Sequence, residues 1–295
     1  METLQAGNVI KVSPRTENMN LYDLKTIDNL RKISFEKCEC FLHEDHRWVL
    51  PIIHYAQEKG TLSKPCTIII FDAHHDAKAP TCIDEIRRVR ESGILLEDLI
   101  CLCRDKLSCL DDDWVKTGMK LGLIGDAVIF GVEDRRNSDC LKRFKDHRGN
   151  IHRIELAGLP GGELEYQGSL SDLAQRNGLS ELWSILEWQH TPKKGFTFAE
   201  DATRILLDID LDCFVVRWKG YRFPWPDEVF EKEFLSPSEC DSTKEWTGKR
   251  FFNALVSRAA LVTIARESKC CGGDKKADQI LSKVNHFLFD DKLTI

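Results

Sequence analysis

Short runs of apolar residues alternate along this chain with segments in which apolar positions recur every three or four residues. The runs predict strands at residues 38–42, 67–71, 127–132, 204–210 and 260–265. The three-to-four spacing predicts helices at residues 49–56, 83–89, 170–174, 179–186 and 277–288. Because the strand runs lack strict alternation, they are typical of strands that are covered on both faces. The pattern therefore predicts an α/β protein in which helices enclose a mostly parallel sheet.

The composition narrows the class of protein. The 295 residues, 42% hydrophobic and 31% charged, contain no repeat or linker, so we expect one domain over residues 1–295 with an N-terminal extension at residues 1–35. The net charge of −6 and the lack of a Lys/Arg-rich run argue against a nucleic-acid partner. No apolar run approaches the roughly 20 residues of a membrane helix. The first 20 residues lack the apolar core of a signal peptide.

The twelve cysteines point to the compartment. They are scattered along the chain, and none has C-x-x-C spacing. Free thiols of this kind are typical of a reducing compartment. We therefore expect a cytoplasmic protein without a membrane partner.

Three of the predicted strands end in clusters of acidic residues and histidine. The clusters are Glu44-Asp45-His46, Asp72-Ala73-His74-His75-Asp76 and Asp208-Ile209-Asp210-Leu211-Asp212. Because the carboxyl ends of parallel strands share one edge of a sheet, we expect the clusters to meet there. Charged groups at the end of a buried strand are costly unless they are paired, hydrated or bound to metal. The clusters therefore predict a metal site.

The spacing within the clusters indicates which side chains face the metal. In an extended segment, Asp72, His74 and Asp76 point to one side, and so do Asp208 and Asp210. Imidazoles combined with several carboxylates suit two divalent ions about 3.5 Å apart. Donors of this kind favour Mn²⁺, with Zn²⁺, Fe²⁺ and Co²⁺ as alternatives. The predicted ligands are His46, Asp72, His74, Asp76, Asp208 and Asp210.

These motifs resemble those of arginase, agmatinase and their relatives in the ureohydrolase–deacetylase superfamily. Residues 72–76, D-A-H-H-D, resemble the D-A-H-x-D motif, and residues 207–210, L-D-I-D, resemble the S-F-D-x-D motif. His46 is similar to the histidine of the G-G-D-H motif. The resemblance is strongest to an arginase-like branch that carries E-D-H, D-x-H-x-D and D-I-D-L-D-x-F, and it covers roughly residues 36–290. It implies a three-layer, doubly wound α/β fold.

The resemblance also implies a reaction. A hydroxide between two metal ions would hydrolyse a C–N bond of a small guanidino or amide compound. One ion would be held by His46, Asp72, Asp76 and Asp208, and the other by Asp72, His74, Asp208 and Asp210. Asp76 would also orient the hydroxide. Ureohydrolases often form oligomers, so the resemblance suggests a homo-oligomer, but the sequence does not fix the oligomeric state.

The sequence departs from the superfamily at the proton shuttle. Arginases carry a histidine about a dozen residues after D-A-H-x-D that shuttles protons, whereas residues 77–92 contain none. His75 is the candidate substitute, although its neighbours alternate towards the metal. Glu267, Glu133 and Asp134 follow predicted strands and are candidates for contact with a basic group of the substrate.

Two other functions stay open at this point. One is a deacetylase-like amidohydrolase with a single zinc, although no glycine-rich loop with a His-His pair is evident. The other is a non-catalytic protein that keeps its metal for structure or sensing, which the missing shuttle histidine favours. A two-metal phosphatase fits the order of the motifs less well.

Overall fold

The computed structural model describes residues 21–131, 143–157, 164–165, 205–237 and 247–295. The strands there are β1 (Arg31–Ile33), β2 (Glu39–His43), β3 (Cys66–Phe71), β4 (Ile124–Phe130), β5 (Arg143–Lys145), β6 (Ile151–Ala157), β7 (Leu164–Glu165), β8 (Ile205–Asp210), β9 (Val215–Trp218), β10 (Tyr221–Pro224) and β11 (Ala259–Ala265). The α-helices are α1 (Val49–Glu58), α2 (Ile83–Glu91), α3 (Leu96–Asp105), α4 (Trp114–Leu121), α5 (Asp227–Phe230), α6 (Gly248–Arg258), α7 (Ser268–Cys271) and α8 (Asp274–Phe289). Short 3-10 turns cover Leu21–Thr26, His46–Trp48 and Leu211–Phe214, and a π-helical turn covers Glu231–Leu235.

Six parallel strands form the centre of the main sheet. Its order is β1-β2-β11-β8-β3-β4-β6-β5, and the outermost strands β1 and β5 pair antiparallel to their neighbours. A second, small sheet has the order β10-β9-β7. Since the six central strands run the same way, their carboxyl ends share one edge.

Helices cover both faces of the main sheet. In β3, Ile68 and Ile70 pack into a core with α1, α2, α3 and α4, whereas Ile69 and Phe71 pack into a second core with α6 and α8. This alternation follows from the two-residue period of a strand. The architecture is α/β with a mostly parallel eight-stranded sheet, and it is compatible with three layers.

The five predicted strands are confirmed, with ends that differ by three residues or fewer. The predicted helices become α1, α2 and α8, while those between residues 170 and 186 lie outside the described residues. The predicted extension at residues 1–35 contains β1, which pairs with β2. None of the helices in the described ranges is both long and apolar enough to cross a membrane. Ten cysteines in these ranges are free thiols.

Candidate metal centre

The predicted ligands gather at the carboxyl ends of four neighbouring strands, β2, β11, β8 and β3. His46 opens the turn after β2, Asp72 directly follows β3, and Asp208 and Asp210 end β8. Glu267 lies just after β11. Parallel pairing therefore brings together residues that are far apart in the sequence, as the strand-end clusters predict.

His46 is fully buried, and Asp208 fixes the orientation of its ring. His46 Nε2 lies 2.5 Å from Asp208 Oδ2, and the Thr263 hydroxyl donates to Asp208 Oδ1 at 2.5 Å. Burial opposes a proton on His46, but the charge and hydrogen bond of Asp208 outweigh it and raise the pKa of His46 well above its ordinary value. Both Asp208 oxygens thus have partners, and Asp208, which the sequence predicts as a ligand of both ions, is in none of the ligand groups of the described residues. Asp208 contacts the ring nitrogen of His46 that faces away from the first ligand group. Carboxylates that orient metal-binding imidazoles occupy the same position.

A first ligand group surrounds the other nitrogen of His46. Three carboxylate oxygens approach His46 Nδ1: Asp76 Oδ2 at 2.9 Å, Asp210 Oδ2 at 3.1 Å and Asp72 Oδ2 at 3.6 Å. All four side chains are buried. Despite these separations, His46 Nδ1 and Asp72 Oδ2 have no hydrogen-bond partner. Converging, unpartnered donor atoms of this kind can bind a metal ion.

A second ligand group lies beside the first and consists of Asp72, His74 and Asp212. His74 Nδ1 is 3.0 Å from Asp212 Oδ2 and 3.6 Å from Asp72 Oδ1. The two oxygens of Asp72 therefore face different groups. The His74 side chain is 47% exposed, which opens this side of the pocket to solvent.

The segment that carries Asp72, His74 and Asp76 is bent, so the expectation of an extended segment was wrong there. β3 ends at Phe71, and Asp76 has a φ of 46°, in the left-handed region. Aspartate tolerates this conformation better than most residues. The Trp114 indole N–H donates to Asp76 Oδ2 at 2.7 Å and holds the carboxylate against His46. The convergence of these ligands therefore depends on a turn.

Glu267 lies beside the ligand groups, and its backbone is in the left-handed region. Its φ is 37°, and its N–H donates to the carbonyl of Glu44 at 3.0 Å. The Glu44 carboxylate accepts hydrogen bonds from Ser268 N–H and from Arg266, both at 2.8 Å, and from the Ser268 hydroxyl. Non-glycine residues in the left-handed region cluster at active sites and ligand clamps, so this conformation makes Glu267 a candidate functional residue. Its carboxylate can join ligand groups on both sides, with His46–Asp210 and with Asp212–Cys270.

The pocket carries excess negative charge. Burial raises the pKa of Asp72 well above its ordinary value, and Asp76, Asp210 and Asp212 raise it further. Burial and the charge of Asp212 raise the pKa of Asp210 to about 7. Glu267 shows a raised pKa for the same reasons. A divalent cation would relieve this repulsion, so the buried cluster fits metal binding.

Of the remaining predicted residues, the structure describes one and not the other two. His75 is in none of the ligand groups of the described residues, and its Nδ1 accepts the Ala77 N–H at 3.1 Å. Glu133 and Asp134 lie outside the described residues. Sequence reasoning did not assign Asp212 as a ligand, although the D-I-D-L-D spacing contained the signal.

Comparison with known proteins does not add a family. Neither a scan against protein-family models nor a search of the curated proteins found a match to this chain. The geometry of the site and the motifs are therefore the indications of function in this chain.

Proposed function

We propose that this chain is a metal-dependent hydrolase with an arginase/deacetylase-like fold, which cleaves a C–N bond in a small guanidino or amide compound. The parallel sheet supports this proposal, because it gathers the strand-end motifs at the edge where such folds bind ligands. The motifs of residues 72–76 and 207–210 support it as well.

The donor atoms suit two divalent cations. The first position would be formed by His46, Asp72, Asp76 and Asp210, and the second by Asp72, His74 and Asp212. Nitrogen and oxygen donors favour Mn²⁺, Zn²⁺ or Fe²⁺. Bound ions would act as Lewis acids that polarise the substrate and activate water.

The chain's own residues then position the reactants. Trp114 holds Asp76 in place, so that this buried carboxylate can orient a water molecule at the first position. Glu267 stands between the two ligand groups, where a carboxylate can contact a cationic substrate group. The exposed side of His74 leaves a path for a small molecule from solvent.

The observation that carries the proposal is the placement of Asp72. It is fully buried, and each of its oxygens lies 3.6 Å from the imidazole nitrogen of a different ligand group. A carboxylate that serves two imidazole-bearing groups is the arrangement expected of a shared ligand in a two-metal site.

Metal analysis and hydrolysis assays test the proposal together. Protein purified from Mn²⁺-supplemented medium should carry about two ions per chain. It should also release urea, ammonia or acetate from a panel of guanidino compounds and N-acyl amines. Asp72→Asn should lose both metal and activity, whereas Asp84→Asn, at an exposed position of α2, should keep both. A metal-free wild-type protein, or turnover that survives in Asp72→Asn, would refute the proposal.

A second candidate function is favoured by the position of His75. Its ring accepts the Ala77 N–H, and it belongs to none of the ligand groups in the described ranges, so the candidate proton shuttle is not among the residues that would hold metal. A non-catalytic metal-binding protein would fit this arrangement. Metal binding without turnover across the whole panel would support this function over the hydrolase.

A further inference from the structure

A cavity of about 410 Å³ lies at the edge of the main sheet opposite the candidate metal centre. It is lined by the turn before β3, by the ends of α2 and α4 and by the turn between β5 and β6. β3 separates the two edges, and its six residues span roughly 20 Å. The cavity is therefore a separate feature from the metal centre, and its function does not depend on the proposed hydrolase.

The lining of this cavity is basic. It includes Lys64, Arg90, Arg148 and His147. The ion pairs of Lys64 and Arg90 are long, with N···O separations of 3.8 Å in each. The pKa of His147 is lowered, first by slight burial and then by the positive charges of Arg90, Arg148 and Lys120. The three cations Lys64, Arg90 and Arg148 in one lining contrast with the net charge of −6 of the whole chain.

The carboxylate in the lining is already engaged. Asp146 accepts hydrogen bonds from the backbone N–H groups of Arg148 and Asn150, each at 2.8 Å, and from the Asn150 side chain at 2.9 Å. Burial opposes its ionisation, yet the hydrogen bonds from Asn150 outweigh burial and lower the pKa of Asp146 to about 2. Asp146 thus fixes the turn between β5 and β6. The cavity lining has this one carboxylate and three cations, Lys64, Arg90 and Arg148.

The cavity also has a buried imidazole and an apolar side. His152 Nδ1 donates to the carbonyl of Gly125 at 2.8 Å, and Nε2 faces Asp146. That Nε2 is buried without a hydrogen-bond partner, 3.3 Å from Asp146 Oδ2. Ile94 and Leu121, both almost fully buried, line the same cavity. A ligand here would meet cations on one side and hydrocarbon on the other.

We propose that this cavity binds a small organic phosphate. The three cations and the one carboxylate of the lining leave two positive charges, which match the charge of a phosphate monoester, about −1.5 to −2 near neutral pH, better than that of a single carboxylate. The planar guanidinium groups of Arg90 and Arg148 suit bidentate contact with phosphate oxygens. The volume is within the range of small-molecule sites, about 300–1,000 Å³, and leaves room for an organic group against Ile94 and Leu121.

Isothermal titration calorimetry of the full chain with phenyl phosphate tests this proposal. Excess EDTA keeps the probe from binding through metal at the other edge of the sheet. The double variant Arg90→Gln/Arg148→Gln should bind about 100-fold more weakly, because each lost charge-assisted contact costs about tenfold or more. The control Arg87→Gln/Arg88→Gln removes the same charge from exposed positions of α2 and should bind like wild type.

Two comparison ligands test which groups of phenyl phosphate the cavity recognises. Benzoate keeps the ring with a single charge, and inorganic phosphate keeps the charge without a ring, so both should bind more weakly than phenyl phosphate. The proposal is overturned if wild type shows no saturable binding, if the two double variants bind equally, or if either comparison ligand matches phenyl phosphate. Melting temperatures and circular dichroism of the variants show that they are folded.

Discussion

Asp210 is a buried acid whose charge destabilises the chain when no metal is bound. Asp210→Asn keeps the shape of the side chain, and the amide oxygen can still accept the Asp212 N–H, which now lies 2.9 Å from Asp210 Oδ1. The substitution therefore imitates the protonated acid. We expect the metal-free variant to be more stable than metal-free wild type.

The magnitude follows from the pKa of Asp210. It is raised from 3.8 to about 7, and each unit corresponds to about 1.36 kcal/mol, so the charge costs up to about 4 kcal/mol. The folded-state pKa is above the unfolded-state pKa, so this cost is absent below about pH 4, grows as the pH rises and is complete above about pH 7. At about 2 °C per kcal/mol for a chain of this size, the variant should melt about 8 °C higher at pH 8.

Thermal denaturation in excess EDTA from pH 4 to pH 8 measures the difference. Mn²⁺ at 100 times its Kd should then stabilise wild type by about 2.7 kcal/mol and the variant by less, which narrows the difference. The exposed control Asp84→Asn should stay within about 0.5 kcal/mol of wild type at every pH. If Asp210→Asn melts below wild type in EDTA at pH 8, or if the difference does not change with pH, the electrostatic argument is wrong.

Three further substitutions probe the residues that position the ligands. Thr263→Val leaves a buried oxygen of Asp208 without its donor, so urea denaturation should show a loss of about 1–3 kcal/mol and calorimetry about tenfold weaker Mn²⁺ binding. Trp114→Phe removes the indole N–H that holds Asp76, and Mn²⁺ binding should again weaken about tenfold. Glu44→Gln weakens the charge-assisted contacts of the residue after β2 with Arg266 and Ser268 and should lower the free energy of unfolding by about 1–3 kcal/mol. Unchanged values in these assays would contradict the positioning roles.

The fold and the position of the site follow from the sequence because both depend on periodicity. The apolar runs that became β3 and β8 fix two strands of the buried sheet, and parallel pairing then fixes the edge at which their ends meet. The strand alternation of Asp208 and Asp210 is confirmed as well, since both carboxylates approach the His46 ring. No tertiary information is needed for these steps.

Which carboxylate orients His46 and which can bind metal depends on tertiary contacts that periodicity does not encode. Alternation places Asp208 and Asp210 on the same side of the strand. The position of the His46 ring then decides their roles: Asp208 contacts Nε2 and orients the ring, whereas Asp210 approaches Nδ1 in the first ligand group. Asp212 joins the second group because a 3-10 turn follows β8. Asp76 joins the first group through a left-handed turn.

The basic cavity could not be predicted from the sequence at all. Lys64, Arg90 and Arg148 come from three separate segments, and each lies among ordinary charged residues in the sequence. No local pattern connects them. Their proximity follows from the packing of the helix ends against the turn between β5 and β6, which only the folded chain defines.

The position of Asp72 has a thermodynamic consequence for metal loading. Because one carboxylate faces both ligand groups, the occupancy of each position alters the free energy of filling the other. Linkage requires this effect to be equal in both directions, so the first ion changes the affinity for the second by the same factor that the second changes the affinity for the first. The two positions would therefore load as one coupled unit, whose binding isotherm is not the sum of two independent curves.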